Sequence, residues 1–437
     1  MSVLKTYFNM VTYPLRNSPP DIQRIENIDI IKPQKIFLDN DIPVYIIHSN
    51  TEDIVSVDFI FEAGLWQSQI PLVPIFTNII LTEGGTKKRT SYEVSELFEF
   101  YGANLDSSAG KDVASITISS LNKYFDELAP ILQEIIFEPL FSDSELEIQI
   151  KKIKQKYLVN LEKPNYIASK KINELILGNN NPYGYFEKLD DFDKINIPIL
   201  KEFHQKFYLK NKFAIVVTGK ITGDFIKILN KYFGQHTVNN NVDITYDYTF
   251  DTIKEKRYLI NKKRVVQDSI RLGKQLFFCD KEDIYKVKIL VSLLGGYFGS
   301  RLMKNIREEK GLTYGIYSFI QRFRYSTSLI ISAETKCGKG VSVIDEVYNE
   351  LNKLIKEKVN IEEINLVKNY LLGELQRNFD GPLATAEMYK MLISSNLPEN
   401  FYDNYFKTIL NINEEEILFL ASKYLNPALM VEVLVTN

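Results

Sequence analysis

The sequence predicts an α+β protein built of two tandem homologous domains, each a mostly antiparallel sheet packed with helices. Three observations lead there. A chain of 437 residues is longer than one compact core usually organises, so two or more domains are expected. Stretches with period-two alternation and stretches with helical spacing follow one another in the same order in each half. The halves also end alike: KFYLKNKFAIVVTGK, from Lys206 to Lys220, is echoed by KYLNPALMVEVLVTN, from Lys423 to Asn437. Matching order plus matching endings indicates an internal duplication of units of about 200 residues, a common domain size. The expected division is a first domain over 1–237, a polar linker over 238–250 and a second domain over 251–437.

In the first half, Lys35 to Asn50 alternates about the turn residues Asn40 and Asp41 and predicts a hairpin. A second alternating run, IVSVDFIFEAG, ends at Gly64. Pro74 to Thr82 is apolar and of helical length, and Thr90 with Glu93 forms a capping box for the helix that follows. Val113 to Leu121 alternates as a strand. Phe125, Leu128, Leu132 and Ile135 then recur at helical spacing, with Pro130 expected to kink that helix or delay its start. Ser142 with Glu145 predicts a cap for a long helix through Leu161; helices after Pro164 and near Ile199 to Phe207 follow, and the strand Phe213 to Gly219 closes the unit.

The second half replays the order. Strands are expected at Arg257 to Ile260 and Asp268 to Phe278, a helix at Tyr285 to Leu294, and strands from Tyr314 and over Ser326 to Glu334. Helices follow at Val343 to Lys358 and, capped by Asn360 with Glu363, through Arg377.

Composition excludes several classes of function. Fifty-three basic against 56 acidic residues leave a net charge of −3, with lysines interleaved among acids, so no nucleic acid partner is expected. No apolar run reaches the roughly 18 residues that span a bilayer, so no membrane role is expected. The N-terminus shows no apolar core with a small-residue cleavage site, which places the protein in the cytoplasm, or in the periplasm if a leader has been removed. The two cysteines, Cys279 and Cys337, stand in apolar, strand-like text and read as buried thiols rather than a disulfide or metal site.

The chemistry-bearing stretch is Gly295 to Ser318, GGYFGSRLMKNIREEKGLTYGIYS. Arg307 offers several donors to a carboxylate or carbonyl, and the Tyr314 hydroxyl can donate to a developing oxyanion. On residue chemistry alone the ordinary reading, a surface ion pair and a core-rim aromatic, takes precedence. The block resembles the second-half signature of the insulinase-type, or pitrilysin-like, zinc peptidases, which include the mitochondrial processing peptidases. In that family an arginine and a tyrosine seven residues apart bind the substrate backbone beside the scissile bond, and 314 − 307 = 7.

The resemblance extends over nearly the whole chain from about Lys35, and implies a metal site in the first half. The family signature is H-x-x-E-H on a helix, with a distant glutamate as third ligand. VPIFTNIILTEGGTKKRTSYEVSELFEFYGANLDSS keeps the frame through Gly85-Thr86, yet Phe76, Ile79 and Ile80 stand where histidine, glutamate and histidine are required. The third-ligand window falls on Gln155, Lys156 and Tyr157. The histidines are His48, His204 and His236, in strand, helix and linker contexts, and no relocated metal site is expected from them.

What the resemblance implies is a subunit without catalytic residues or cofactor of its own. It would clamp an unstructured peptide through Arg307 and Tyr314, in trans to a zinc-bearing homologue that forms the metalloendopeptidase proper. A structural or peptide-binding protein with no enzymatic partner is the alternative, and a hydrolase with relocated ligands ranks last. In isolation a homodimer is the other assembly open to it.

Overall fold

The computed structural model describes residues 25–49, 53–236, 248–250, 256–278 and 280–437. The expected linker over 238–250 therefore falls, but for 248–250, outside the described residues, as does Cys279.

The first sheet comprises β1 (Gln34–Phe37), β2 (Pro43–His48), β3 (Ile54–Phe61), β4 (Asn104–Ala109), β5 (Ala114–Leu121) and β6 (Phe213–Gly219), in the order β1-β2-β6-β3-β5-β4. The second comprises β7 (Arg257–Asn261), β8 (Gln267–Leu276), β9 (Thr313–Arg322), β10 (Thr327–Lys336) and β11 (Val431–Thr436), in the order β7-β11-β8-β10-β9. Apart from β1, the two orders correspond strand for strand. The last strand of each sheet inserts parallel to an early one, β6 beside β2 and β11 beside β7, while the other pairs are antiparallel. Strands placed there are covered on both faces, which is why FAIVVTG and VEVLVT read as near-continuous apolar runs.

Helices cover one face of each sheet. Phe59, Phe61, Ile116 and Ile118 pack in one core with Phe76, Ile80, Leu132 and Leu200. Ile270, Leu272, Leu329 and Ile331 pack in another with Leu290, Leu294, Val347 and Ile417. The opposite faces are closed by exchange. The first-half helix Pro164–Leu177 lies on β8 and β11, and the second-half helix Pro382–Ser394 lies on β6 and β2.

Each exchanged helix meets a charge on a central strand. On β8, buried Arg271 pairs with Glu334 of β10 at 2.9 Å and donates to Ser169 Oγ of the first-half helix at 3.0 Å. On β3, Asp58 is only 1% exposed, and it accepts from Thr117 Oγ1 at 2.7 Å and from Lys390 Nζ of the second-half helix at 2.8 Å. Burial disfavours the Lys390 charge, but the Asp58 carboxylate, with Glu387 beside it, outweighs burial and raises the ammonium pKa. The second half thus supplies the counter-charge of Asp58, and the first half supplies a hydroxyl acceptor to Arg271.

Several local expectations are met by particular bonds. Asp41 turns the β1–β2 hairpin with φ +62, and Thr90 and Glu93 exchange both capping-box bonds. Others need correction. The helix Phe125–Phe137 starts ahead of Pro130 and runs through it, because the carbonyl that the proline leaves without a donor belongs to Asp126, at an exposed position in the first turn. Ser142 accepts from the Glu145 N–H, without the reciprocal bond of a full box. At Asn360 the asparagine caps the Glu362 N–H alone, because Glu363 is taken by a two-pronged bond from Arg301 at 2.7 and 2.9 Å. Cys337 lies half-exposed in the turn after β10 rather than within a strand. The strand β4 and the helices Gly223–Phe233, Pro382–Ser394, Phe401–Asn411 and Glu414–Tyr424 were not legible as elements.

Candidate functional site

The helix that carries the metal positions of the resemblance is Val73–Glu83, packed against β4 and β5. Its Phe76 and Ile80 are fully buried, and Ile79 is half-buried. The Phe76 ring meets Phe192 edge-on at 6.2 Å, and Phe192 meets Tyr157 at 5.7 Å. Tyr157 is the one buried residue of the third-ligand window, since Gln155 and Lys156 are exposed. Its phenol donates to the Glu187 carbonyl. An aromatic chain therefore joins the two helices that would have shared an ion. Zinc needs nitrogen, sulfur or oxygen donors, and Phe76, Ile79 and Ile80 offer only carbon, so these positions do not fit the metal. Among the described residues no cluster of three or more His, Cys, Asp and Glu side chains could hold one elsewhere.

The histidines are each engaged locally. His48 is exposed beside Gln34 at 3.4 Å. His236 stacks on Phe137 with ring centroids 3.6 Å apart. His204 is buried in the helix Ile197–His204, and its Nε2 donates to the Ile136 carbonyl at 2.7 Å. Burial lowers the His204 pKa from 6.5 to about 4. The folded state thus holds the imidazole neutral, whereas the unfolded chain protonates it near the ordinary value. This contribution to stability is complete above pH 6.5 and falls by about 1.4 kcal/mol per unit as the pH drops toward 4. Urea midpoints measured between pH 7 and 5 should show that slope, and His204→Gln, which keeps an N–H for Ile136, should flatten it.

The arginine–tyrosine block is assembled differently. The helix Asp283–Gly295 ends against β9, and a side chain at Gly295 would press on Ser318 N at 2.7 Å, so only glycine lets helix and strand approach this closely. Ser318 Oγ fastens the same contact by donating to the Val291 carbonyl at 2.7 Å. Arg307 sits in the last turn of the π-helical segment Met303–Glu309, which Gly311 terminates at φ +60 before β9 begins.

Tyr314 occupies a β-bulge. Gly315 lies opposite Glu334 and Thr313 opposite Thr335, so Tyr314 is an extra residue on the edge strand. Its side chain is 87% exposed. The Arg307 guanidinium lies 4.7 Å over the Phe298 ring, and among the described residues no carboxylate pairs with it. Beyond the bulge, Tyr317 and Phe319 are exposed while Ile316 and Ser318 turn inward. Phe298, Tyr317 and Phe319 are surface aromatics that sequence reasoning passed over, although the period-two spacing of Tyr317 and Phe319 on an edge strand was readable.

Among the described residues no hydrogen bond, ion pair or ring contact joins this block to Phe76, Ile79 or Ile80. Besides the exchanged helices, the halves also touch near the hairpin tips. The Arg324 N–H donates to Asp112 at 3.2 Å, its guanidinium donates to Glu62 at 3.0 Å, and Phe323 stacks on Tyr183 at 4.5 Å. A cavity of about 810 Å³ nearby is walled by Tyr45, Glu62, Arg324 and Tyr389, and neither set of positions lines it. No helix among the described residues is long and apolar enough to cross a membrane.

Fold and site together define a duplicated peptidase scaffold with hydrocarbon in the metal positions of its first half. The chain belongs to the insulinase, or M16, peptidase family: residues 77–182 match the model described as Insulinase (Peptidase family M16), and residues 194–371 match the Peptidase M16 inactive domain. It is similar to the Non-peptidase homolog YmxG of Helicobacter pylori, 26% identical over 367 residues, or 80% of this chain and 81% of that protein. It is also similar to the Uncharacterized zinc protease YmxG of Bacillus subtilis, 23% identical over 297 residues, or 68% and 72% of the two chains. Among solved structures, a peptidase M16 inactive domain from Pseudomonas fluorescens superposes with a TM-score of 0.83 at 21% identity, covering 92% of this chain and 97% of that one.

Proposed function

We propose that this chain is a non-catalytic, peptide-binding subunit of a heteromeric zinc peptidase, supplying contacts to the substrate backbone in trans to a zinc-bearing homologue. One contrast carries the reading. Side chains with no lone pairs fill the family's metal positions, while a guanidinium that pairs with no carboxylate among the described residues and an outward-turned phenol remain at the start of an edge strand. An extended peptide can add to a sheet edge through main-chain hydrogen bonds. Arg307 and Tyr314 then hold a carbonyl oxygen while the partner's metal site supplies the water. No cofactor belongs to this chain in that scheme. The name of the Helicobacter relative, a non-peptidase homolog, supports the non-catalytic part of this reading. The compartment proposed is the cytoplasm, or the periplasm if a leader is removed.

The test is co-expression with candidate zinc-bearing homologues, followed by affinity capture, metal analysis and assay on a quenched unstructured peptide. A homologue should come down in equal amount, with zinc and cleavage confined to the pair. Capture of peptide without any homologue points instead to a binding protein with no enzymatic partner. Stoichiometric zinc or cleavage on the isolated chain would overturn the proposal.

A further inference from the structure

We infer that Thr313 is a positioning residue for Tyr314: its hydroxyl sets the bulge that turns the phenol out of the second sheet. The inference rests on the carbonyl-clamp reading above.

Strict alternation along β9 would place Tyr314 on the same side as Ile316, which is fully buried beneath the helix Asp283–Gly295. The phenol would then be lost to the core. One extra residue breaks the alternation, and the strand continues beyond it with Ile316 inward and Tyr317 outward. A bulge re-aims a side chain in this way, provided that something fixes where the extra residue sits.

Nothing in the apolar pattern fixes it, since a slip by one residue would exchange Tyr314 for a neighbour. The Thr313 hydroxyl does. It donates to the Glu334 carbonyl across the ladder at 2.5 Å and accepts, on its own strand, from the N–H of Gly315, the residue after the extra one, at 3.1 Å. The Gly315 carbonyl lies 2.9 Å away as a second acceptor for the same proton. Opposite, Thr335 braces the approach by donating to the Leu312 carbonyl. Thr313 is itself buried, so water does not readily replace these bonds. Gly315 allows the tight course, because a side chain there would meet the Tyr317 ring at 3.0 Å.

Thr313→Val keeps the β-branched shape and removes only the hydroxyl, while Thr313→Ser keeps the hydroxyl. Assayed with the zinc-bearing partner on a quenched peptide, the valine variant should lose roughly tenfold or more in kcat, as a misplaced reacting group does, with KM little changed. The serine variant should stay close to the parent. A second measurement needs no partner: residue-resolved nitration by tetranitromethane. Tyr314 should nitrate readily in the parent and the serine variant and several-fold less in the valine variant, with Tyr92, exposed on the first-half helix Ser91–Phe100, as internal standard.

Unchanged Tyr314 nitration in Thr313→Val, even with a lowered Tm, would overturn the inference by reducing Thr313 to a structural residue. So would unchanged kcat in that variant when Tyr314→Phe lowers it. If Tyr314→Phe itself leaves the pair unaffected, the clamp reading fails, and this proposal falls with it.

Discussion

Replacing Lys390 by alanine should destabilise the protein by about 3 kcal/mol, the scale for breaking a buried ion pair. The cost arises in the sheet of the other half, on which the mutated helix packs. Asp58 lies in the middle of the first sheet, covered on both faces, and besides Lys390 the donor to its carboxylate is the Thr117 hydroxyl. Without the ammonium, a buried carboxylate must stay charged without a counter-ion or take up a proton, and either outcome penalises the folded state. Lys390 also meets Glu387, but that carboxylate is solvent-exposed and contributes little. Asp58→Asn combined with Lys390→Met removes both charges and should recover most of the loss. Urea midpoints on the single and double variants check this, and equal stability of Lys390→Ala and parent would show that the pair does not hold the halves together. Because Lys390 belongs to the second half and Asp58 to the first, the same measurement asks whether the halves unfold as one unit.

Much of the architecture was readable because duplication repeats the signal. FAIVVTG and VEVLVT announce central strands through uninterrupted apolar character, and their shared place at the end of each half gave the repeat away. What stayed hidden has physical causes. β4, NLDSSA, is an edge strand with one face uncovered, and its hydroxyls and Asp106 make it read as loop. The exchanged helix Pro382–Ser394 packs on the sheet of the other half, so its apolar residues answer to a surface some 170 residues away or more in sequence. The Asn360 cap lost its second half because Glu363 has a stronger partner in Arg301, a long-range choice that local pattern does not encode.

The candidate site divides in the same way. The mismatch at Phe76, Ile79 and Ile80 was visible residue by residue, whereas the role of Phe192 in meeting Phe76 depends on a turn of chain more than a hundred residues later. Gly315 beside Tyr314 hinted at irregular strand geometry. The bulge itself becomes apparent only once Glu334 and Thr335 are set opposite.

Tyr314→Phe should lower kcat of the assembled pair by ~10²–10³, the loss typical of one oxyanion donor, while assembly with the zinc-bearing partner and the fold remain intact. The side chain's exposure underlies both expectations. A phenol that is 87% exposed buries little surface whose loss could unfold the strand, so any large effect must come from what the hydroxyl does to a bound peptide. Arg307→Ala should act on kcat/KM more broadly, because a guanidinium donates through several N–H groups to a ground-state carbonyl as well as to the transition state. Arg307→Lys should recover only part of the loss, since an ammonium is a point charge without the planar fork, and it stacks less well on the Phe298 ring that now lies 4.7 Å from the arginine. If both side chains grip the same oxygen, the double variant Arg307→Ala/Tyr314→Phe should lose less than the product of the single losses, as groups acting as a unit do. Full turnover in Tyr314→Phe, with the pair still formed, would remove the phenol from the chemistry and leave the arginine as a binding contact alone.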